Sequence, residues 1–282
     1  MSTEYYPESA RESTMVPTAG PGVLVADSSN GMEPTVRVRD LSKTFGSHRV
    51  MNGLNLDFVP DAITTVLGPS GTGKSVLLKH MVGLLAPDEG SITVFGDDIW
   101  ELSERERLEL RKRFGVLFQD GALFGSMNIY DNVAFPLRKH TELTEAEIRD
   151  RVMRSLREVG LEAAEKKAPN EISGGMKKRA GFARALVLNP EIVLFDEPDS
   201  GLDPVRTSLL NDLILEMHEE HRGTYVLVTH DINTARKVSD YVGLIWEGRV
   251  IHYGPTDEAF NSSDPFVRQF LSGSSAGPLG MD

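Results

Sequence analysis

"AITTVLGPSGTGKSVLLKHMVGLL", residues 62–85, decides the fold. A short apolar run stops at glycine, a glycine-rich octet follows, and an apolar stretch with helical character begins. Gly68, Pro69, Ser70, Gly71, Thr72, Gly73, Lys74 and Ser75 fit the pattern G-x-x-x-x-G-K-[ST] in the strand–loop–helix context that it requires. Glycines at 68, 71 and 73 let the backbone curl so that several N–H groups face phosphate oxygens. The helix behind them adds its positive dipole end. Lys74 supplies a point charge for β- and γ-phosphates, and the Ser75 hydroxyl can ligate Mg²⁺. A glycine-rich turn with a chance Gly-Lys-Ser is the bland alternative, and the agreement of strand, spacing and helix weighs against it.

Working outward, "EIVLFDEPDSGLDP" (191–204) and "TYVLVTH" (224–230) are continuous apolar runs ending in polar residues, as strands buried on both faces of a mostly parallel sheet do. Asp196 closes the first run where a carboxylate would hold Mg²⁺. Glu197 beside it could act as general base towards water. "TVRVRDLSKTF" (35–45) alternates like a half-buried strand and "SITVFG" (91–96) is another. Residues 103–113 form a charged helix with Ser103 as N-cap. In 143–161, Ile148, Val152, Leu156 and Val159 share one face of an amphipathic helix. The block 103–170 therefore reads as mostly helical between two strand-rich parts.

The 42 acidic against 30 basic residues, a formal charge of −12, argue against a general nucleic-acid binder. The absence of cysteine removes disulfides, thiolate metal sites and cysteine nucleophiles. No apolar run approaches the ~20 residues of a membrane span, and the N-terminus has no apolar core of a secretory signal. The expectation is a soluble cytoplasmic chain. Residues 1–33, rich in Ser, Pro, Gly and Glu, read as a disordered tail. Residues 34–256 form the main domain and 257–282 an extension. Within the extension, Phe266, Val267, Phe270 and Leu271 line one face of a short helix, and the last ten residues read as a flexible end.

With these motifs in hand, the chain resembles the ATP-binding cassette family over residues 35–256. The resemblance implies an α/β P-loop NTPase fold: a RecA-like core, an antiparallel β-subdomain, and an inserted α-helical subdomain at about 103–172. It implies ATP and Mg²⁺ as cofactors. Phe45 sits where an aromatic stacks on adenine, and the phosphate loop, Gly68 to Ser75 with Val76, cradles the nucleotide. Gln119 matches the loop glutamine that reaches the Mg²⁺ and the attacking water. Ser173, Gly174 and Gly175 match the signature centre, Asp203 the D-loop and His230 the switch histidine. Lys74, Gln119, Glu197 and His230 are thus the catalytic set, and Ser75, Gln119 and Asp196 the metal set. Two cassettes are expected to face head to tail, forming a homodimer with each ATP between one chain's phosphate loop and the other's signature. Met176 replaces the usual signature glutamine; the serine hydroxyl and glycine N–H groups that contact phosphate survive, so hydrolysis is expected to persist. The basic run Lys177, Lys178 and Arg179 reads as a solvated helix face.

"SGGM" followed by "KKRAGFARAL", together with "VLFQDGALFGSMNIYDNVAFPLR" (116–138), resembles the branch that energises Mla- and Mce-type lipid transporters. The ordinary form of "EPDSGLDP" and the long N-terminal tail bring it nearer to the Mce-associated ATPases of actinobacteria. That resemblance implies a transmembrane permease, an indirect Mce-type lipid-binding partner, and a peripheral place on the cytoplasmic face of the membrane. Phe118, Leu123, Phe124, Met127 and Ile129 are divided between core and docking surface, with Phe124, Met127 and Asn128 expected to face the permease. An ATPase serving a small-solute importer, and a non-transport cassette that switches a macromolecular machine, are the alternatives.

Overall fold

In the computed structural model, which describes residues 33–119 and 121–279, the chain opens with two paired antiparallel strands, β1 (Val36–Phe45) and β2 (His48–Phe58). The expected N-terminal tail lies outside the described residues, apart from Glu33. The apolar run ahead of the phosphate loop is β3 (Ile63–Leu67), buried at every position, and the loop delivers the chain into α1 (Lys74–Met81). β4 (Glu89–Val94) and β5 (Asp97–Asp98) return to the first sheet, giving the order β2-β1-β4-β5. Then follow α2 (Glu104–Arg111), β6 (Phe114–Leu117), α3 (Ile129–His140), α4 (Glu145–Glu158), α5 (Gly174–Leu186) and β7 (Ile192–Asp196). The last part holds α6 (Pro204–His221), β8 (Thr224–Thr229), α7 (Ile232–Val238), β9 (Tyr241–Trp246), β10 (Arg249–Pro255), α8 (Thr256–Phe260) and α9 (Pro265–Ser272).

The second sheet has the order β10-β9-β3-β8-β7-β6, parallel from β9 to β6, with β10 antiparallel at one edge. Both faces are covered, which is why its strands read as unbroken apolar runs. Ile192, Leu194, Val226 and Val228 pack with Leu77 and Met81 of α1 and with the antiparallel sheet. Phe195, Tyr225 and Leu227 point the other way, against Phe182 of α5, Ile214 of α6 and the helical residues Val133, Val152 and Leu156. Phe182, Phe195 and Tyr225 form a chain of ring contacts with centroids 5.1 and 5.6 Å apart.

α2 and α4 begin at capping boxes, Ser103 with Glu106 and Thr144 with Glu147, as their sequences require. The expected face of α4 is buried at Ile148, Val152, Leu156 and Val159. The inserted helical body is smaller than residues 103–172, however. Arg111 of α2 bonds the carbonyls of Val82 and Gly83 after α1, and β6 pairs with β7 in the central sheet. β6 escapes sequence reading because it is four residues long and contains Gly115. A Cβ there would stand 2.4 Å from the Ala185 carbonyl oxygen, so the glycine serves the close approach of β6 to α5.

The C-terminal extension packs on its own chain. Val267 is buried, and Phe270 and Leu271 lie against Leu67, Ala235 and Leu244. Residues 273–279, read as a flexible end, fold back instead. Gln269 accepts from the Leu279 N–H at 2.7 Å, and Leu279 is buried. Deleting residues 264–282 is expected to lower the melting temperature by at least about 5 °C, because full burial of each such side chain contributes roughly 1.5–3 kcal/mol. An unchanged melting temperature would show that α9 is not part of this core.

Candidate functional site

Strand order builds the site. β3, β8, β7 and β6 lie side by side and run the same way, so the residues after each strand meet along one edge of the sheet. Those residues are the phosphate loop after β3, His230 after β8, Asp196 and Glu197 at the end of β7, and Gln119 after β6. Ligands of open parallel sheets bind at the carboxyl ends of strands.

Within the loop, Gly71 and Gly73 have φ of 82° and 90°, conformations that side-chain-bearing residues avoid. At Gly73 a Cβ would also stand 2.6 Å from Val50 Cγ1, which is how the β1–β2 hairpin reaches the loop. At Gly68 it would stand 2.6 Å from the Ile245 carbonyl oxygen. The loop is pinned by Thr72, whose hydroxyl donates to the Pro69 carbonyl at 2.9 Å. The N–H groups of Lys74, Ser75 and Val76, the first turn of α1, have no partner within the helix. Val76 offers only this backbone group, since its side chain packs into the core.

Lys74 is buried, and its ammonium donates to the carbonyls of Gly68 (2.7 Å) and Pro69 (2.9 Å). Burial lowers its pKa, while the carboxylates of Glu197 and Asp196 pull it back up. The Ser75 hydroxyl donates to Asp196 Oδ1 at 2.6 Å, so residues 121 positions apart meet at one point. A hydroxyl and a carboxylate are hard oxygen donors of the kind Mg²⁺ takes, and they fit that ion. Glu197 has φ of 46°, an uncommon left-handed value for a residue with a side chain, held where its N–H donates to the Val228 carbonyl at 2.9 Å. His230 Nδ1 lies 3.7 Å from Glu197 Oε1. Gln119 is exposed at the edge of the array. Phe45 ends β1 with 47% of its surface open, and the Lys43 ammonium lies 5.9 Å from its ring centre.

The signature is elsewhere. Ser173 is the N-cap of α5, its hydroxyl accepting from the Met176 N–H at 3.3 Å, and Gly174 is exposed. Met176 is half-buried against the helical core rather than pointing free. Ser173, Gly175 and Met176 line a groove of about 450 Å³ with Leu202, Arg206 and Leu209 and none of residues 68–76. Asp203 is the N-cap of α6, accepting from the Val205 and Arg206 N–H groups at 3.1 and 3.0 Å. Within one chain, the signature and the phosphate loop therefore do not share a site.

One expectation is corrected. The run at 177–179 is not a solvated face: Lys178 is buried, bonded to the turn after β7, and Arg179 donates to the Val159 carbonyl at 3.0 Å. Half-buried Asn128 caps α3, its side-chain oxygen accepting from the Asp131 N–H at 2.7 Å. Ile129 is core, Met127 is half-buried, and Phe118 and Phe124 are exposed. Arg184 steadies that surface, its guanidinium 5.6 Å from the Phe124 ring centre and bonded to the Gly121 and Ala122 carbonyls.

Sequence reading missed Asn132 and Asp199. Buried Asn132 accepts from the Phe124 N–H at 2.7 Å and donates to the carbonyls of Phe124, Met127 and Asn128, so one amide fixes the turn that presents Phe124. Its signal was a polar residue three positions after Ile129, on the apolar face of a helix. Buried Asp199 accepts from the Thr229 hydroxyl at 2.6 Å, and burial raises its pKa.

A family model described as ABC transporter matches residues 51–200. Over 250 residues the chain is 54% identical to "Probable ribonucleotide transport ATP-binding protein mkl" of Mycobacterium leprae, covering 89% of this chain and 72% of that one. Over 244 residues it is 42% identical to the intermembrane phospholipid transport system ATP-binding protein MlaF of Haemophilus influenzae, covering 86% and 92%. Among solved structures, cbiO1 of Clostridium perfringens, part of an ABC transporter complex, superposes with a TM-score of 0.75 at 33% identity, over 82% of this chain and 92% of that one. The cassette MJ0796, a dimer bound to ADP and Pi, superposes with a TM-score of 0.72 at 29% identity, over 78% and 98%.

Proposed function

The chain belongs to the ABC transporter family as an ATP-hydrolysing, ATP-binding subunit, and from that premise we propose that two copies close head to tail over ATP to drive a permease that moves lipids. The separation of Ser173 from the phosphate loop supports the dimer, since each half-site lacks what the other chain would bring. The ATP-binding cassette MJ0796 is itself a dimer. The 42% identity with MlaF over 92% of its length carries the lipid reading.

At each site the loop N–H groups and Lys74 bind the phosphates, and Phe45 stacks on the base. Ser75 and Asp196, with Gln119 at the edge, would hold Mg²⁺, which when bound neutralises charge on the β- and γ-oxygens. Glu197 takes the proton from the attacking water, and His230, within 3.7 Å of it, orients that carboxylate and the γ-phosphate. Positioning and charge stabilisation make up the catalysis.

We place the chain on the cytoplasmic face of the membrane against a separate permease that docks near Phe124, Met127 and Asn128, with an Mce-type lipid-binding protein as an indirect partner. No helix among the described residues is long and apolar enough to cross a membrane. The mkl name favours a second reading, an importer of a small polar solute. Affinity capture of the Glu197→Gln chain with ATP from native membranes in mild detergent separates them. Recovery of a permease with a lipid-binding protein and bound lipid supports the first reading. A permease with a small-solute binding protein supports the second, and no membrane partner overturns both.

A further inference from the structure

Lys178 lies on α5, the helix that Ser173 caps, and only 5% of its surface is exposed. Its ammonium donates to the carbonyls of Pro198 (2.7 Å) and Ser200 (2.5 Å) and to the Ser200 hydroxyl (3.3 Å). A buried ammonium is stable only where its protons find acceptors, and charge-assisted bonds of this kind are strong. These acceptors lie in the turn between Glu197 and the α6 cap at Asp203.

The same turn is held from its other side. Asp199, between the two residues that Lys178 grips, accepts from the Thr229 hydroxyl, and the Thr229 oxygen in turn accepts from the Asp231 N–H at 3.0 Å. Thr229 directly precedes His230. The turn therefore joins the signature helix to the strand end that carries His230, and it begins at Glu197. In a head-to-tail pair these two ends serve different ATP molecules: Ser173 reaches the partner's nucleotide, while Glu197 and His230 face this chain's own.

We propose that Lys178 is a positioning residue for ATP hydrolysis, fixing the 198–200 turn to the signature helix so that closure over one ATP sets Glu197 and His230 at the other. The proposal rests on the head-to-tail reading. Without the ammonium, the turn keeps its tie to Thr229 and loses its tie to α5, so the two sites of a dimer uncouple. ATP held by the phosphate loop of a single chain is unaffected, because Lys178 does not belong to that loop.

The test compares Lys178→Met, which keeps the stem and removes the donors, with Lys178→Gln, which keeps an amide donor. The expected result for Lys178→Met is a fall in kcat of about tenfold or more, the scale of a small misplacement of catalytic groups. Its Hill coefficient for ATP falls towards 1, while ADP affinity of the dilute single chain stays within twofold. Lys178→Gln falls between Lys178→Met and wild type on both readouts. A folded Lys178→Met chain with wild-type kcat and Hill coefficient overturns the proposal. So does a loss of activity in both variants that only follows the folded fraction, with the Hill coefficient unchanged. If Lys178→Met does not fold, Lys178→Gln decides alone: a reduced Hill coefficient supports the role, and wild-type values overturn it. ATP-driven dimer formation by Glu197→Gln is measured beside these variants. Failure there overturns the head-to-tail reading itself, whereas a dimer with an indifferent Lys178 overturns only this proposal.

Discussion

Turnover of the Glu197→Gln chain is expected to fall by about 10²–10⁴-fold, the contribution of a positioned general base, while ATP affinity stays within about threefold. Glutamine keeps the volume and the hydrogen-bonding oxygen of Glu197 and removes only its ability to take a proton. The backbone at this position is left-handed, with φ of 46°, and Gln meets the same steric cost there as Glu. The phosphate-binding groups, Lys74, the loop N–H groups and Ser75, lie in the loop after β3 and on α1 and are untouched. Substrate therefore still binds, and closure over ATP is no longer followed by release. With ATP, the variant should elute as a dimer in size-exclusion chromatography, and with ADP as a single chain. Turnover within a few-fold of wild type would remove Glu197 as base and leave His230 or solvent to do the work.

The difference between what was legible in the sequence and what was not follows from distance along the chain. The phosphate loop is local: its glycines, its lysine and the helix that it opens are contiguous, so eight residues announce both conformation and chemistry. The pairing of Asp196 with Ser75 is not local, but each carries its own signal, an acid at the end of a buried strand and a hydroxyl after a lysine. Strand order carries no such signal. That β8 lies between β3 and β7, and so places His230 beside Glu197, is decided by packing across the whole sheet. β6 was hidden by its brevity, and its glycine, which reads as a break, is there for a close approach.

Lys178 was misread for a related reason. Three basic residues in a row on a helix ordinarily find water, and the direction of each side chain depends on what the helix packs against. Here α5 lies beside the turn after β7, whose carbonyls point back at it, and that turn is twenty residues away. Asn132 was concealed in the same manner. Its four partners are all backbone groups of the preceding turn, and backbone groups leave no mark in a sequence. What sequence reading loses most readily is a polar side chain that serves the main chain.

Lys74→Ala is expected to act on the other half of the reaction, weakening ATP affinity by about 10–100-fold, since bonds to charged groups contribute roughly 1.5–3 kcal/mol and each 1.4 kcal/mol is tenfold. Two losses combine. The ammonium no longer meets the β- and γ-phosphates, and the carbonyls of Gly68 and Pro69 lose the donor that holds the loop closed. The second loss acts before nucleotide arrives, because a loop that is not held in its curled form must be ordered by the ligand. Both belong to the ammonium, and the part played by the buried stem is separated from them with Lys74→Met, which keeps the apolar stem in its slot and removes the charge and its donors together. If the ammonium dominates, Met and Ala variants weaken alike; if burial of the stem orders the loop, Met retains part of the affinity. Titration of a fluorescent ATP analogue into each chain reads both. Unchanged affinity in both variants would show that the loop N–H groups alone hold the phosphates. Lys74 would then act only on the transition state, and its loss would appear in kcat, as that of Glu197 does.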